Sequence, residues 1–419
     1  MTELKYINKE QNKNLQIKDL ITLGLYTILL ILLMGVGVGL GTLFTSVVFG
    51  GKVYFATYTS VAAALVCGSA YSLIFNKINK NMAILVTGGL GYIGSHTVVE
   101  LLNNDFDVVI VDDLSNTDRI ILEGIEEITG KKPIFYPFDL KRRELISQVL
   151  DAHKITGCIH FAAFKAVGES QVRPIDYYEN NLYSLINILQ EFKERDISNF
   201  IFSSSCTVYG QADKMPIDEE TPIKPAESSY GKTKQMCEDI LKDFAIAHEK
   251  KITLLRYFNP IGAHPSAKIG ELPIGIPNNL VPYVMQTAAG IREKLSIWGD
   301  DYETPDGTAV RDYIYVCDLA KAHLQALKKL LKEEKETLID IYNLGTGKGS
   351  SVLEIVKTFE KANGVSVPYQ ICGRRAGDIT IAYANANKAE KELNWKANTS
   401  LEEALRTTWE WQKYLDKVK

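Results

Sequence analysis

Thr87-Gly88-Gly89-Leu90-Gly91-Tyr92-Ile93-Gly94 follows an apolar run at 83–87 and precedes a helical pattern at 93–103. Strand, glycine loop, helix: that order restricts the available folds more than any other feature of the chain. The glycines permit a tight turn and let backbone amides at a helix N-terminus approach a pyrophosphate. A lone glycine triplet is weak evidence, but an acid at the end of the next strand strengthens it. That acid is Asp112, at the tip of the β-branched run 108–111. A carboxylate there accepts hydrogen bonds from an adenosine ribose diol and repels a 2'-phosphate, which selects NAD over NADP. The competing reading is that Asp112 or Asp113 only caps a turn.

Further apolar runs at 134–138, 158–162, 199–203 and 252–257 alternate with helical stretches. Such alternation predicts a parallel sheet covered on both faces. After Asn259 the texture changes to loops rich in Pro and Gly, followed by shorter elements. The expected class is α/β, a Rossmann-type doubly wound parallel sheet over 82–257 with a smaller α/β substrate domain over 258–419, the boundary interleaved. A length of 419 residues accommodates such a division. The net charge of -4 is mild and the basic residues are scattered, which argues against a nucleic-acid partner. Six cysteines without a CxxC pair predict reduced thiols, and six histidines without ligand-type spacing predict no metal.

Residues 1–81 differ from the rest. No charged side chain occurs from 21 to 51, Lys52 follows, and a second uncharged run spans 53–76. Each run is long enough to cross about 30 Å of hydrocarbon, so two transmembrane helices are expected, at about 20–50 and 53–76. Lys5, Lys9, Lys13 and Lys18 before the pair, with Lys77 and Lys80 after it, place both ends in the cytoplasm. The expectation is a hairpin in the cell membrane that tethers a cytoplasmic catalytic domain. A cleaved signal peptide fits poorly. A buried helix pair in a water-soluble protein stays open, although Gly35, Gly37, Gly39, Gly41, Gly50 and Gly51 would weaken it.

The run at 199–203 leads into Ser203-Ser204-Ser205-Cys206-Thr207. In a doubly wound sheet ligands bind at that end of a strand. Ser229-Tyr230-Gly231-Lys232-Thr233-Lys234 puts Tyr230 and Lys234 four apart, on one face of a helix. An ammonium there favours the phenolate and lowers a tyrosine pKa from roughly 10 towards neutrality. A base so tuned can strip a proton from a sugar hydroxyl, with Ser205 and Thr207 as hydrogen-bonding neighbours. Serine runs and YxxxK are common singly; together, in order and behind a glycine loop, they are far more specific.

From Met82 to about Tyr414 the chain resembles the extended short-chain dehydrogenase/reductase family, and within it the enzymes that invert C4 of UDP-hexoses. The resemblance rests on TGGLGYIGSH at Thr87, HFAAFKAVGES at His160, FSSSCTVYG at Phe202, SYGKTK at Ser229, LRYFNPIGAHPS at Leu255, GIPNNLVPY at Gly275, DGTAVRDYIYVCDLA at Asp306, IYNLGTGKG at Ile341 and RRAGD at Arg374. It implies that Tyr230 is the base, Lys234 its partner and Ser205 the residue assisting at the sugar hydroxyl. It implies that NAD is held by Gly88, Gly91, Tyr92, Ile93, Gly94, Asp112, Asp113, Asn116, Asp139, Leu140, Phe161, Ala162, Lys165, Asn180 and Tyr257, with Tyr230 and Lys234. A UDP-sugar would lie against Asn259, Asn279, Arg311, Arg375 and Asp378, with Ser205, Thr207 and Tyr230. Forked arginines suit a diphosphate, although a surface role is the default for either alone.

The implied reaction is NAD-dependent interconversion of UDP-glucose and UDP-galactose through a 4-ketosugar. Ala382 occupies the position whose bulk limits the family's sugar pocket, and its small size implies room for N-acetylated UDP-hexoses; a plain small strand residue is the other reading. Cys206 and Ala376 depart mildly from the family pattern. A nucleotide-sugar 4,6-dehydratase needs an acidic pair where this chain has Cys206 and Thr207. A non-catalytic nucleotide sensor would have no need of Ser205, Tyr230 and Lys234 together. Two long helices, at 179–195 and 229–247, resemble those that pair family subunits into homodimers.

Overall fold

In the computed structural model, which describes residues 83–375 and 379–418, β1 (Ala83–Thr87), β2 (Asp107–Val111) and β3 (Ile134–Tyr136) alternate with α1 (Tyr92–Asn103), α2 (Ile120–Thr129) and α3 (Arg143–Ala152). The chain crosses back to β4 (Ile155–His160), then forms α4 (Val167–Val172), α5 (Pro174–Arg195), β5 (Asn199–Ser205), α6 (Ser229–His248) and β6 (Lys251–Tyr257). Shorter elements follow: β7 (Asn259–Ile261), α7 (Leu280–Ala288), β8 (Leu295–Trp298), β9 (Val310–Arg311) and β10 (Tyr313–Tyr315). After α8 (Val316–Lys332) and β11 (Leu338–Leu344) come β12 (Ser350–Ser351), α9 (Val352–Asn363), β13 (Tyr369–Cys372), β14 (Ile381–Ala382), α10 (Asn387–Leu393) and α11 (Leu401–Val418).

A seven-stranded sheet runs in the order β11-β6-β5-β4-β1-β2-β3, with every pairing parallel. This is the expected Rossmann-type sheet. Its winding reverses between β1 and β4, which opens a crevice at their C-terminal ends. Alternation along each strand supplies two cores. Ile84, Val86, Val108 and Ile110 pack with Val98 and Leu102 of α1 and with Leu319 and Leu327 of α8. Leu85, Val109, Phe200 and Phe202 pack on the other face with Leu185 and Phe192 of α5 and with Leu241 of α6.

The helices begin where the backbone is prepared for them. Pro174 opens α5, where its missing N–H costs nothing, and Ser228 caps α6 by accepting from Gly231 N at 3.1 Å. Ser351 and Glu354 form a reciprocal capping box at α9. After β7 the chain builds small sheets, β10-β7, β12-β9-β14 and β13-β8, around a third core containing Val284, Ile297, Ile355 and Phe359. It also returns α8 and β11 to the large sheet, where β11 pairs with β6 from Leu338↔Lys251 to Leu344↔Tyr257.

The expected placement in a cell membrane does not stand. Among the described residues no helix is long and apolar enough to cross a membrane, and the uncharged runs at about 20–50 and 53–76 lie outside the described residues. Cys158, Cys206, Cys237, Cys317 and Cys372 are free thiols.

Candidate active site

The glycine loop turns at Gly88, whose φ is +66°, and a Cβ there would sit 2.7 Å from Ala162 N. At Gly94 a Cβ would sit 2.2 Å from Gly88 O. Only glycine allows the loop to lie against the end of β4 and under the first turn of α1. The start of α1 has no side-chain cap, so no side-chain oxygen at the N-cap occupies its first-turn amides. Tyr92 and Ile93 open α1, and the Tyr92 hydroxyl is committed to Gly262 O at 2.6 Å.

Asp112 ends up buried at the tip of β2, accepting from Leu90 N and Leu114 N, each at 3.0 Å. Burial raises its carboxyl pKa, and the backbone donors Leu114, Leu90 and Gly91 pull the other way. These backbone bonds still leave the carboxylate a lone pair for a ribose diol. Asp113 instead caps a turn, accepting from Ser115 N at 2.9 Å, and Asn116 is exposed beside it. Asp139 likewise accepts from Lys141 N, next to buried Leu140. Phe161 N donates to Thr87 O at 2.9 Å, which seats Phe161 and Ala162 over the glycine loop.

At the end of β5, Ser205 Oγ accepts from Thr207 N at 3.2 Å and from Thr207 Oγ1 at 3.0 Å, which starts the 3-10 turn Cys206–Tyr209. Tyr230, in the first turn of α6, faces that hydroxyl. Lys234 lies one turn on, nearly inaccessible, donating to Ser203 O at 2.6 Å, with its ammonium 4.7 Å from the Phe202 ring centroid and 5.8 Å from that of Tyr230.

Here the electrostatic expectation is corrected. Part of the Tyr230 side chain reaches solvent, yet its hydroxyl is deep enough that burial pushes the phenol up to about 12, with Ser205 pulling it down. Burial also pushes Lys234 down to about 8, with Cys237 and Glu238 acting against that shift. Helical spacing put phenol and ammonium on one face as expected, but in the chain alone desolvation outweighs their attraction. His160, bonded to Thr87 Oγ1 at 2.7 Å and stacked on Phe202, is held neutral, its pKa driven to about 3 chiefly by burial.

Asn259 lies at the start of β7, its amide donating to Asp312 O at 2.9 Å, and Arg311 is its near neighbour through the β7–β10 pairing. Ala382 pairs with Arg311 in the β14–β9 register and is buried among Val208, Phe258 and Cys206. Arg375 is exposed beside Arg374, which pairs with Asp301 at 2.7 Å and stacks on Tyr302. Asp378 lies outside the described residues. Tyr257 pairs with Ser205 in the β5–β6 register, and its hydroxyl meets His323 Nε2 at 2.8 Å in the core under α8, where the His323 ring packs on Phe161; Phe258 shares the cluster of Ala382.

Several residues that motif reading passed over hold these groups in place. Asn181, next to candidate Asn180, accepts from Phe164 N at 2.8 Å and donates to Thr233 Oγ1 at 3.0 Å, joining the loop after β4 to the catalytic helix. Asp312 accepts from Thr346 N, Gly347 N and Ala384 N and so ties β14 to the β9–β10 segment. Glu271 receives both Lys165 and Asn279. Their only signal in the sequence is proximity to a motif, since each acts through partners distant along the chain. Among the described residues no cluster of His, Cys, Asp or Glu is arranged to hold a metal ion.

Residues 85–408 match the family described as GDP-mannose 4,6 dehydratase. A UDP-glucose 4-epimerase of Erwinia amylovora is 52% identical over 332 residues, which span 79% of this chain and 98% of that protein. The chain belongs to the UDP-glucose 4-epimerase family. Its fold superposes with a TM-score of 0.77 on the UDP-glucose 4-epimerase of Bifidobacterium longum in complex with NAD+ and UDP, at 47% identity, covering 79% of this chain and 98% of that one. The UDP-Glc/GlcNAc 4-epimerase of Campylobacter jejuni, at 33% identity, gives a TM-score of 0.69 over 80% of this chain and 99% of that one. The glycine cradle and the buried Asp112 fit NAD, the cofactor of this epimerase family.

Proposed function

We propose that Tyr230, Ser205 and Lys234 carry out NAD-dependent epimerisation of UDP-glucose and UDP-galactose at C4. The observation that carries this reading is the meeting of the Ser205 and Tyr230 hydroxyls at the C-terminal end of β5, beside the glycine crevice. The Tyr230 oxygen takes the proton of the C4 hydroxyl as the C4–H bond breaks and C4=O forms. Ser205 and Thr207 hold the oxygen that changes charge. Lys234 stands one turn on from Tyr230, its ammonium 5.8 Å from that ring centroid, and orients the helix by its bond to Ser203 O. Reversible hydride transfer at C4 is the chemistry that bound NAD supplies. The 4-ketosugar turns over, and Tyr230 returns its proton as the opposite face is reduced, so no net oxidation occurs.

In this reading the remaining cofactor candidates, from Gly88 to Asn180, hold the dinucleotide. Asn259, Asn279, Arg311, Arg375 and Asp378 hold the UDP-sugar. The segment 82–257 with α8 and β11 forms the cofactor part, and the rest of 258–419 the substrate part. Small Ala382 leaves space for an acetamido group, so UDP-N-acetylglucosamine is a second substrate. Val172, Ile175, Tyr183 and Ile246 are exposed apolar residues on α4, α5 and α6, which supports a homodimer joined through those helices. A 4,6-dehydratase is disfavoured because Cys206 and Thr207 offer no carboxylic acid after Ser205.

NMR of purified protein with UDP-galactose and no added cofactor tests the reaction. UDP-glucose should appear; failure to convert even with NAD supplied would end the proposal. Tyr230→Phe should lower turnover at least about 100-fold while NAD stays bound. Ala382→Tyr should abolish turnover of UDP-N-acetylglucosamine and spare UDP-galactose. If the wild type ignores the N-acetyl sugar, the pocket reading fails alone.

A further inference from the structure

Glu271 lies in the loop between β7 and α7, far in sequence from the glycine motif and the catalytic pair. Its backbone is pinned. Trp411 of α11 donates its indole N–H to Glu271 O at 2.8 Å, and Gly270 packs so closely on the same indole that a Cβ would stand 2.5 Å from Trp411 Cδ1. Trp411 is itself fully buried. The backbone that carries the Glu271 side chain is therefore held by the core of the protein, and that side chain is less exposed than its partners Lys165 and Asn279.

Those two side chains converge on the carboxylate. Lys165 Nζ and Asn279 Nδ2 each donate to Glu271 Oε1 at 2.9 Å. Lys165 comes from the loop after β4, its side chain 46% exposed against 11% for that of Glu271. Asn279 occupies the N-cap of α7, where asparagine normally spends its side chain on the first turn of the helix. It makes no such cap hydrogen bond and points its amide at Glu271 instead. One residue belongs to the cofactor candidates and the other to the UDP candidates.

We propose that Glu271 is a positioning residue that holds the cofactor-side lysine and the substrate-side asparagine together. This rests on the epimerase reading above. The ammonium of Lys165 has three donors, and one spent on Glu271 leaves two for an anionic or hydroxylated ligand. A free lysine loses much rotamer entropy when it orders on a ligand, and a lysine already fixed by a rigid carboxylate loses less. Asn279 is aligned by the same oxygen. Glu271 thus favours both ligands through other side chains, and its loss weakens both, whereas loss of either partner weakens chiefly one.

The test uses full-length wild type, Glu271→Ala, Glu271→Gln, Lys165→Met, Asn279→Ala and the two double variants that pair Glu271→Ala with each partner change. NAD remaining on the protein after gel filtration and UDP affinity by calorimetry are the readouts, with circular dichroism to confirm folding. Glu271→Ala should lower both by about tenfold, and Glu271→Gln, which keeps an acceptor for Asn279, should lower NAD retention more than UDP affinity. Adding Glu271→Ala to Lys165→Met should cause little further loss of NAD, and adding it to Asn279→Ala little further loss of UDP. Folded Glu271→Ala with both affinities within twofold of wild type overturns the inference, as does full additivity in both pairs. A variant that fails to fold leaves the decision to Glu271→Gln and its NAD-to-UDP split. Wild type that neither carries NAD nor converts UDP-galactose sinks the epimerase reading, whereas active wild type with indifferent Glu271 variants sinks only this one.

Discussion

Lys234 is a cation with one carbonyl partner, an aromatic face beneath it and almost no water. Its folded pKa of about 8 lies below the 10.5 of a free lysine. The charged form is therefore penalised in the fold, and the sign follows. Stability is greatest above 10.5, where the side chain is neutral in both states, falls as pH drops towards 8, and levels off below it. Relative to Lys234→Met, wild type should gain up to about 3 kcal/mol between pH 7.5 and 10.5, at about 1.4 kcal/mol per pKa unit. Urea unfolding of both proteins at matched NAD occupancy measures the difference, and a flat difference across that range would show that Lys234 is not desolvated. At this scale the placing of Ser205, Tyr230 and Lys234 beside one another was legible from order and spacing. Their energies were not, because Phe202 and Ser203 surround Lys234 only after β5 and α6 pack together.

The helix α6 carries Tyr230, Lys234 and Glu238 at successive intervals of four, so a phenol, an amine and a carboxyl group share one face. Glu238 is buried, accepting from Ser204 Oγ at 2.6 Å, Arg256 Nε at 2.9 Å and Arg256 Nη2 at 2.6 Å; Arg256 also donates to Tyr209 OH at 2.9 Å. The pair locks α6 to β5 and β6 directly behind Ser205. Glu238→Gln leaves the Arg256 charge without its counter-ion and should cost about 3 kcal/mol or more, read as a lowered urea midpoint. Ser204→Ala should cost about 1 kcal/mol. A similar small loss from both would mean that the ion pair contributes no more than a neutral bond. The strands β1 to β6 and the helices α1, α5 and α6 were visible from hydrophobic alternation, within a few residues at most of their ends. β9 and β14 were not, since two residues have no period and their pairing joins Val310 to Ile381.

For the whole molecule, Tyr183 on α5 and Ile246 on α6 are exposed, and the proposed homodimer would cover them. Tyr183→Asp with Ile246→Glu should yield a one-chain mass by light scattering, with NAD retained. An unchanged two-chain mass would move the interface elsewhere, and a one-chain mass for wild type would remove it. The alternation of strands and helices announced the large sheet, and the change of texture after Asn259 announced a different kind of segment. Neither announced that β11 would come back to flank β6, because an apolar run carries no mark of its neighbour. That return governs assembly. During synthesis β6 leaves the ribosome with one side of its ladder open, and the strand that closes it emerges some eighty residues later. The segments before and after Asn259 are thus threaded through one another like two lengths of cord in a single splice, and the large sheet cannot be completed before the polypeptide is nearly finished.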